Sequence, residues 1–269
     1  MTPVSREEQA KWMRWLIPLP KQVKIESKLA IEASRVSVKV APGGGDLTTN
    51  AARALETVLK TGPGDKADFE ILIGVCDGRG RVGGVIVPEA ARLSKLPNRD
   101  QAYCIAPVGS RRLVVTALSE KGVLYGATTL HALMEPKLSN GRATVPIARI
   151  VDWPDIGERG RWGGVFNSLI INNINDEIEW MASLKMNLIE THVSYDVSAD
   201  GHSTLGIDLE AVERARLSAV RYVPIIIHMD LLGDLTGLYK VYPEAKGKGA
   251  AIRGASRNSP RAMLQALTM

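Results

Sequence analysis

The segment from Asp68 to Val75, DFEILIGV, limits the possible folds more than any other part of the sequence. It is apolar at almost every position, so a strand here needs cover on both of its faces. A strand of this kind is typical of a layered α/β domain, in which helices pack on a sheet. The neighbouring segments must therefore supply both partner strands and helices.

Strand and helix patterns alternate on both sides of this segment. RVSVKV at 35–40 alternates as a strand does, and residues 47–60 repeat apolar side chains at helical spacing. Two further strands between 102 and 118 resemble a hairpin around Gly-Ser, and a helical pattern follows at 119–134. These elements predict an α/β fold that begins with a small α/β sandwich domain over residues 1–150.

Longer strand and helix units follow from residue 151. NLIETHV at 187–193 and RYVPIIIHMD at 221–230 are strand-like, and helical patterns precede each of them. Strands that alternate with helices are expected to be parallel. A complete (β/α)8 barrel needs about 250 residues. Residues 151–269 are therefore expected to form a partial TIM-type barrel, the truncated first half of a catalytic domain.

Two motifs that often carry a cofactor or a metal do not fit these roles here. G-x-G-x-x-G at 78–83 follows a strand, but the next residues are expected to be extended and include Pro88, so a plain turn is predicted rather than a nucleotide site. Cys76 and Cys104 form no C-x-x-C and are expected to be buried thiols. No cofactor and no metal are expected.

Charge and hydropathy exclude other partners. The 34 basic and 29 acidic residues give a net charge of +5. The basic residues are spread along the chain, so no nucleic-acid partner is expected. No apolar stretch reaches the ~18 residues of a membrane span, and the first residues lack the apolar core of a signal peptide. We expect a soluble chain with no membrane contact and no visible export signal.

Polar side chains at the predicted carboxyl ends of the later strands are the candidate site residues. His192 and His228 each follow a predicted strand at the end where barrels carry their chemistry, so a pocket role and a packing role both stay open. The same region holds four carboxylates, Glu190, Asp196, Asp230 and Asp234. Capping a helix or pairing with a basic neighbour is the alternative for each carboxylate.

Arg159 lies in E-R-G-R-W, where Gly160 permits a close approach as the chain enters the first barrel strand. A guanidinium here can hold two vicinal hydroxyls with its fork of donors. Arg161 is the competing candidate. A salt bridge at the surface or between domains is the alternative for both arginines.

Two segments together resemble the family 20 glycoside hydrolases, the β-N-acetylhexosaminidases. D-W-P-D-I-G-E-R-G and the later M-A-S-L-K-M-N-L-I-E-T-H-V-S-Y-D are similar to the opening and the second strand of the family's catalytic barrel. The other segment enters a helix through G-x-x-Y-G-x-x-T-L, here Gly122, Tyr125, Gly126, Thr129 and Leu130. The resemblance extends over roughly residues 15 to 235.

The resemblance implies substrate-assisted removal of terminal N-acetylhexosamine from a glycan that contains this sugar. Arg159 is similar to the family's arginine that holds the outer hydroxyls of the sugar. His192 and Asp196 match the polar cluster after the second strand, and His228 joins them as a predicted substrate-binding residue. Members of this family are often secreted or periplasmic, and the location of this chain stays open.

The sequence departs from the family pattern at several positions. The family's L-D, P-E-I and P-G-H are replaced by Gly163-Gly164, Pro224-Ile225-Ile226 and Leu232-Gly233-Asp234. The family's adjacent Asp-Glu pair, expected after the fourth strand, would lie beyond Met269. In the family that Glu is the general acid, and the Asp orients the 2-acetamido group that attacks the anomeric carbon.

These departures predict a hexosaminidase-like chain that is incomplete or inactive, with no identified catalytic residue. A relative of family 84 or of the α-glucuronidases is an alternative, and so is a non-catalytic carbohydrate-binding or assembly module. A half barrel also leaves an unpaired sheet edge, which predicts a homo-oligomer through the second half.

Overall fold

The chain has a mixed α/β structure in a computed structural model that describes residues 1–59, 67–163, 173–198, 200 and 202–225. The elements up to residue 152 are β1 (Thr2–Pro3), α1 (Arg6–Met13), β2 (Gln22–Glu32), β3 (Val36–Val40), α2 (Asp46–Leu59), β4 (Phe69–Val75), β5 (Arg81–Val82), β6 (Val85–Ile86), β7 (Tyr103–Pro107), β8 (Arg112–Ala117), α3 (Glu120–Met134), β9 (Leu138–Ser139) and β10 (Arg142–Asp152). The elements that follow are β11 (Gly160–Gly163), α4 (Ile174–Ser183), β12 (Leu188–His192), β13 (Ser194–Val197), β14 (Ser203–Gly206), α5 (Leu209–Leu217) and β15 (Arg221–Ile225).

In the described part of the chain, eight strands form one sheet up to residue 152. Seven of them lie in the order β1-β2-β10-β7-β8-β4-β3, and β9 pairs with β10. β3, β4 and β8 are parallel to one another, whereas β7 and β10 run antiparallel to their neighbours. The hairpin predicted between 102 and 118 is thus confirmed as β7 and β8.

The central strand β4 is covered on both faces, as its apolar sequence predicts. Phe69, Ile71 and Ile73 point to the face that packs under α2 and α3. Leu72 points to the opposite face, where the 3₁₀ segment Pro88–Lys95 provides the cover. Burying one such side chain stabilises the fold by about 1.5–3 kcal/mol. The two cores explain why β4 tolerates almost no polar residue.

Two of the longest strands of this sheet do not follow from the sequence patterns. β2 and β10 pair antiparallel over most of their length, with a register shift between Ile147 and Ala148. β2 reads QVKIESKLAIE and exposes its charged side chains on one face. A half-exposed strand can carry charged residues at every second position. Such a strand has few apolar residues in a row and is therefore hard to recognise from its sequence.

The glycine-rich segment at 78–83 forms a turn and not a nucleotide loop. β5 and β6 pair as a short hairpin around Gly83 and Gly84, which both have positive φ. The extended conformation expected after this segment covers Val85–Ile86, but Pro88–Lys95 forms a 3₁₀ helix. Proline is favoured in the first turn of a helix, which explains the difference.

Cys76 and Cys104 are both free and buried, as predicted. Burial raises the pKa of the Cys104 thiol to about 12, and it also raises the pKa of Cys76. Both side chains belong to the core between the sheet and the 3₁₀ segment. They act as small apolar residues in this core.

Strands β11, β12 and β15 form a parallel sheet within the described residues, which confirms the predicted strand direction. Helices α4 and α5 connect successive strands, and their apolar side chains pack on Ile189 of β12. Whether this sheet continues into a half barrel, and whether copies associate through it, stays a prediction. In the described parts of the chain, no helix is long and apolar enough to span a membrane.

The two glycines of the G-x-x-Y-G-x-x-T-L motif permit α3 to lie directly on the sheet. A Cβ added to Gly122 would come within 2.6 Å of the Ala102 carbonyl oxygen. A Cβ added to Gly126 would lie 2.8 Å from a Val115 methyl group and 3.1 Å from the Tyr103 ring. Close packing, and not a turn, therefore requires glycine at both positions.

We expect Gly122→Ala to destabilise the protein by about 1–3 kcal/mol, because the new methyl group meets a backbone carbonyl that cannot move freely. In an exposed helix the same change stabilises by about 1 kcal/mol. Lys121→Ala, at the preceding helical position, is the matched control and should change stability by less than about 0.5 kcal/mol. Urea unfolding measures both. A Gly122→Ala variant as stable as the parent would disprove the close packing of α3.

Candidate functional site

The side chains of β12 alternate between two environments. Ile189 and Thr191 are buried, and Ile189 lies in the core formed with α4 and α5. Successive residues of a strand point to opposite faces. Glu190 and His192 therefore point away from the helices, to the face that would line the inside of a barrel.

Trp162 of β11 joins His192 on this face. Its indole Nε1–H donates a hydrogen bond to His192 Nε2 over 3.1 Å, and the two ring centroids are 5.2 Å apart with an interplanar angle of 63°. His192 Nε2 is the acceptor in this bond, so Nδ1 is the ring nitrogen left for another partner. The Trp162 side chain is 57% exposed.

Glu190 completes what we call the inner-face cluster, consisting of Trp162, Glu190 and His192. In the parallel register Glu190 lies between Trp162 of β11 and Val223 of β15. The cluster lies towards the carboxyl ends of the strands, where parallel β/α folds bind their ligands. It combines an aromatic face, a carboxylate and an imidazole donor.

Two of the predicted site residues can be located only partly or not at all. Asp196 lies in β13, which pairs with β14 as a hairpin directly after β12 and places Asp196 opposite Thr204. His228 lies outside the described residues. Their predicted roles in substrate binding stay predictions.

Arg161 points to the helix layer, away from the inner-face cluster. Its Nε lies 3.1 Å from Oε1 of the buried Glu177, and its guanidinium lies 5.9 Å from the centre of the Trp180 ring. Glu177 belongs to the Asp176-Glu177 dipeptide in the first turn of α4. This Asp-Glu dipeptide therefore does not correspond to an acid pair at the end of a strand.

Arg159 directly precedes β11, so it lies at the opposite end of the parallel sheet from His192. At about 3.3 Å per residue, the five residue steps from Asn187 to His192 separate the two ends by roughly 16 Å. The structure thus does not bring Arg159 and His192 together. The prediction that Arg159 binds the sugar hydroxyls stays a prediction.

The guanidinium of Arg159 contacts protein acceptors on both of its edges. Nε and Nη2 donate to the Lys185 carbonyl oxygen over 3.1 and 2.6 Å. Nη1 donates to Oε1 of Gln101 over 2.9 Å and to the Ile156 carbonyl oxygen over 2.7 Å. These contacts join the connection before β11 to the turn before β12 and to the N-terminal sheet domain.

Tyr125 of the α3 motif lies against this group. The Arg159 guanidinium carbon is 5.7 Å from the centre of its ring. Burial raises the pKa of Tyr125, whereas the charge of Arg159 and contacts with Asn187 and Arg159 oppose this rise. Asn187 also donates through Nδ2 to the Gln101 side chain over 3.1 Å.

Sequence reasoning did not select Trp162, Lys185, Gln101 or Asn187. The signal for Trp162 is an aromatic side chain directly after Arg161 in a short strand, where neighbouring residues point to opposite faces. The signal for Lys185 is a charged residue within an apolar segment, at the turn from helix to strand. In the described residues, no group of three or more His, Cys, Asp or Glu side chains could hold a metal ion.

Solved structures share this fold at low sequence identity. A chitobiase from Flavobacterium johnsoniae is 17% identical over 86% of this chain and 36% of its own, with a TM-score of 0.53. An exo-β-N-acetylglucosaminidase from Vibrio harveyi, solved with N-acetylglucosamine, is 14% identical over 84% of this chain and 37% of its own, with a TM-score of 0.54. CpGH84B is 16% identical over 85% of this chain and 42% of its own, with a TM-score of 0.52.

The chain thus spans less than half the length of these structures. No curated protein matches the sequence. The model of the family described as glycosyl hydrolase family 20, domain 2, matches residues 14–153, which contain the whole α3 motif. Because this match covers more than half of the 269 residues, the chain belongs to glycosyl hydrolase family 20.

Proposed function

We propose that the chain is part of a β-N-acetylhexosaminidase-type glycosidase and that its inner-face cluster forms part of a site for a terminal N-acetylhexosamine. Membership of family 20 supports the substrate class. The Vibrio harveyi structure, similar over most of this chain, was solved with N-acetylglucosamine. The site is assigned to this face because the cluster lies towards the carboxyl ends of parallel strands.

The chemistry of the cluster suits a sugar. The exposed Trp162 ring offers an apolar face, which can cover the C–H face of a pyranose. Glu190 can accept hydrogen bonds from hydroxyl groups, and Nδ1–H of His192 can donate one to a hydroxyl or to an amide oxygen. A few polar groups beside an aromatic surface are typical of small-molecule sites.

We expect the chain to bind N-acetylglucosamine saturably, and Glu190→Gln to weaken this binding by about 1.5–3 kcal/mol because a charged acceptor is lost. Glu179→Gln is the matched control, since Glu179 is exposed on α4 and pairs with Arg214. Titration calorimetry measures all three proteins. Absence of saturable binding by the parent would overturn the proposed site, and equal affinities in both variants would remove Glu190 from it.

Catalysis is expected to need a general acid that the cluster does not supply. Substrate-assisted hydrolysis in this family implies an adjacent Asp-Glu pair, and the Asp176-Glu177 dipeptide lies on the helix side of the sheet. We propose that residues 1–269 bind the sugar without turning it over.

We expect residues 1–269 to hydrolyse an aryl N-acetyl-β-glucosaminide no faster than buffer does. Loss of general-acid assistance lowers rates by about 10²–10⁴, and loss of the group that orients the acetamide lowers them further. Release of the chromophoric aglycone gives the rate. Turnover that disappears in Glu190→Gln or Asp196→Asn would show that another carboxylate has taken this role.

A further inference from the structure

Lys185 occupies an unusual backbone position at the end of α4. It has a φ of 58°, and Lys185 N–H and Met186 N–H donate to the carbonyl oxygens of Ala182 and Met181, both over 2.9 Å. Glycine is the usual residue at this position of such a helix end. Ala219 occupies the same position after α5, with a φ of 55°. The backbone therefore does not require lysine, so the side chain must have another role.

The side chain of Lys185 is inserted into the N-terminal sheet domain, and the residue is only 6% exposed. Nζ donates to the Tyr103 hydroxyl over 3.0 Å and lies 3.5 Å from Oδ2 of Asp152. The Tyr103 hydroxyl in turn shares a hydrogen bond of 2.6 Å with Thr129. The other oxygen of Asp152 accepts from the backbone N–H of Lys21 over 3.0 Å. Strands β7 and β10 and helix α3 thus all contribute to the environment of one ammonium group.

This arrangement does not favour the charge of Lys185. The pKa of Lys185 is lowered to about 8, mainly by burial; Asp152 opposes this change, and the charge of Arg159 adds to it. Tyr103, Asp152 and Arg159 are the titratable or charged groups that face the ammonium group from the elements packed against it. Buried ion pairs are weak evidence for stability, but they can impose one specific geometry.

The backbone around Lys185 is hydrogen-bonded next to the start of β12. Its carbonyl oxygen accepts two hydrogen bonds from Arg159, and Asn187 Oδ1 accepts the backbone N–H of Arg159 over 2.8 Å. β12 begins at Leu188 and ends at His192. The turn that contains Lys185 therefore leads directly into β12, the strand that carries Glu190 and His192.

We propose that Lys185 is a positioning residue, which holds β12 on the N-terminal domain and thereby sets the place of Glu190 and His192 on the inner face. The value of this positioning for sugar binding rests on the proposed function. β12 is one continuous strand of five residues, and His192 lies at its end, beyond the last residue that pairs with β11. A displacement at Lys185 therefore reaches His192.

We expect Lys185→Met to shift the indole N–H signal of Trp162 in ¹⁵N-tryptophan NMR spectra, because the bond from Trp162 to His192 depends on the position of β12. The chain has five tryptophans, and Trp162→Phe identifies the signal. Ala219→Gly is the control, since it alters a left-handed helix end without changing the lysine contacts, and it should leave the signal in place. Sugar affinity should fall roughly tenfold in Lys185→Met.

Tyr103→Phe keeps the ring and removes the hydroxyl that bonds to Lys185 and Thr129, so it tests the same idea if Lys185→Met fails to fold. Thr129→Val is its control, since it removes the Thr129 bond and keeps the acceptor for Lys185. A Trp162 signal that coincides with the parent's in the folded variants would overturn the positioning role. If no protein binds the sugar but the signal shifts as expected, the proposed function fails and the positioning role stands.

The pH dependence of unfolding is a second test. The unfolded chain holds the Lys185 proton up to the ordinary pKa of 10.5, whereas the folded chain releases it at about 8. The unfolded state thus binds more protons in this window, so folded stability gains from a rise in pH. Relative to Lys185→Met, the unfolding constant of the parent should fall by up to about tenfold per pH unit between these values. Parallel pH profiles in denaturant titrations would show that the ammonium group is not buried and would overturn the proposal.

Discussion

The place of the second sheet on the N-terminal domain depends on the hydrogen bonds of Arg159. Connecting segments leave backbone carbonyls that no strand neighbour satisfies, and buried carbonyls require donors. The Arg159 guanidinium supplies donors to Ile156 and Lys185 from two such segments and to the Gln101 side chain. Hydrogen bonds with a charged donor are stronger than neutral ones. This cation thereby bridges the end of the first sheet and the start of the second, next to the contacts of Lys185.

The α3 motif G-x-x-Y-G-x-x-T-L has a physical explanation in this interface. Gly122 and Gly126 let the helix lie against the sheet, and Tyr125 and Thr129 face the contacts of Arg159 and Lys185. The residues that carry the family resemblance in the first half therefore serve the junction between the two parts. The motif D-W-P-D-I-G-E-R-G serves it too, because Asp152 and Arg159 both belong to it. The two motifs meet in space, which accounts for their presence together.

The inner-face cluster depends on the same junction through β12. Helix-facing residues of this strand are buried in a core with α4 and α5, which leaves Glu190 and His192 on the other face. Polar groups on that face are compatible with stability because they are not enclosed by the helices. The face can therefore present an imidazole and a carboxylate beside an indole ring. The proposed sugar site needs such donors and acceptors at fixed positions, and we propose that the position of β12 supplies them.

By itself, the sequence determined the local elements of this protein. The apolar segment of β4, the helical spacing in α2 and α3 and the alternation of strands with helices after residue 151 all predict what the structure contains. These patterns report on burial within a few residues, and the absence of a C-x-x-C motif separately predicted the two buried cysteines. They did not identify β2, in which charged side chains occupy alternate positions and conceal the strand pattern, and they did not identify the largely buried β10. For the candidate site, the end of β12 and His192 were predicted, but the partner Trp162 was not.

Tertiary structure alone decided which polar side chains meet. Lys185 contacts Tyr103, 82 residues away, and Asn187 contacts Gln101, 86 residues away. No periodic pattern encodes such pairs, since each depends on how two folded parts dock. The same docking placed Arg159 among carbonyl groups at one end of the parallel sheet and His192 at the other. A charged side chain takes its role from the acceptors that surround it, and those acceptors exist only after the chain has folded.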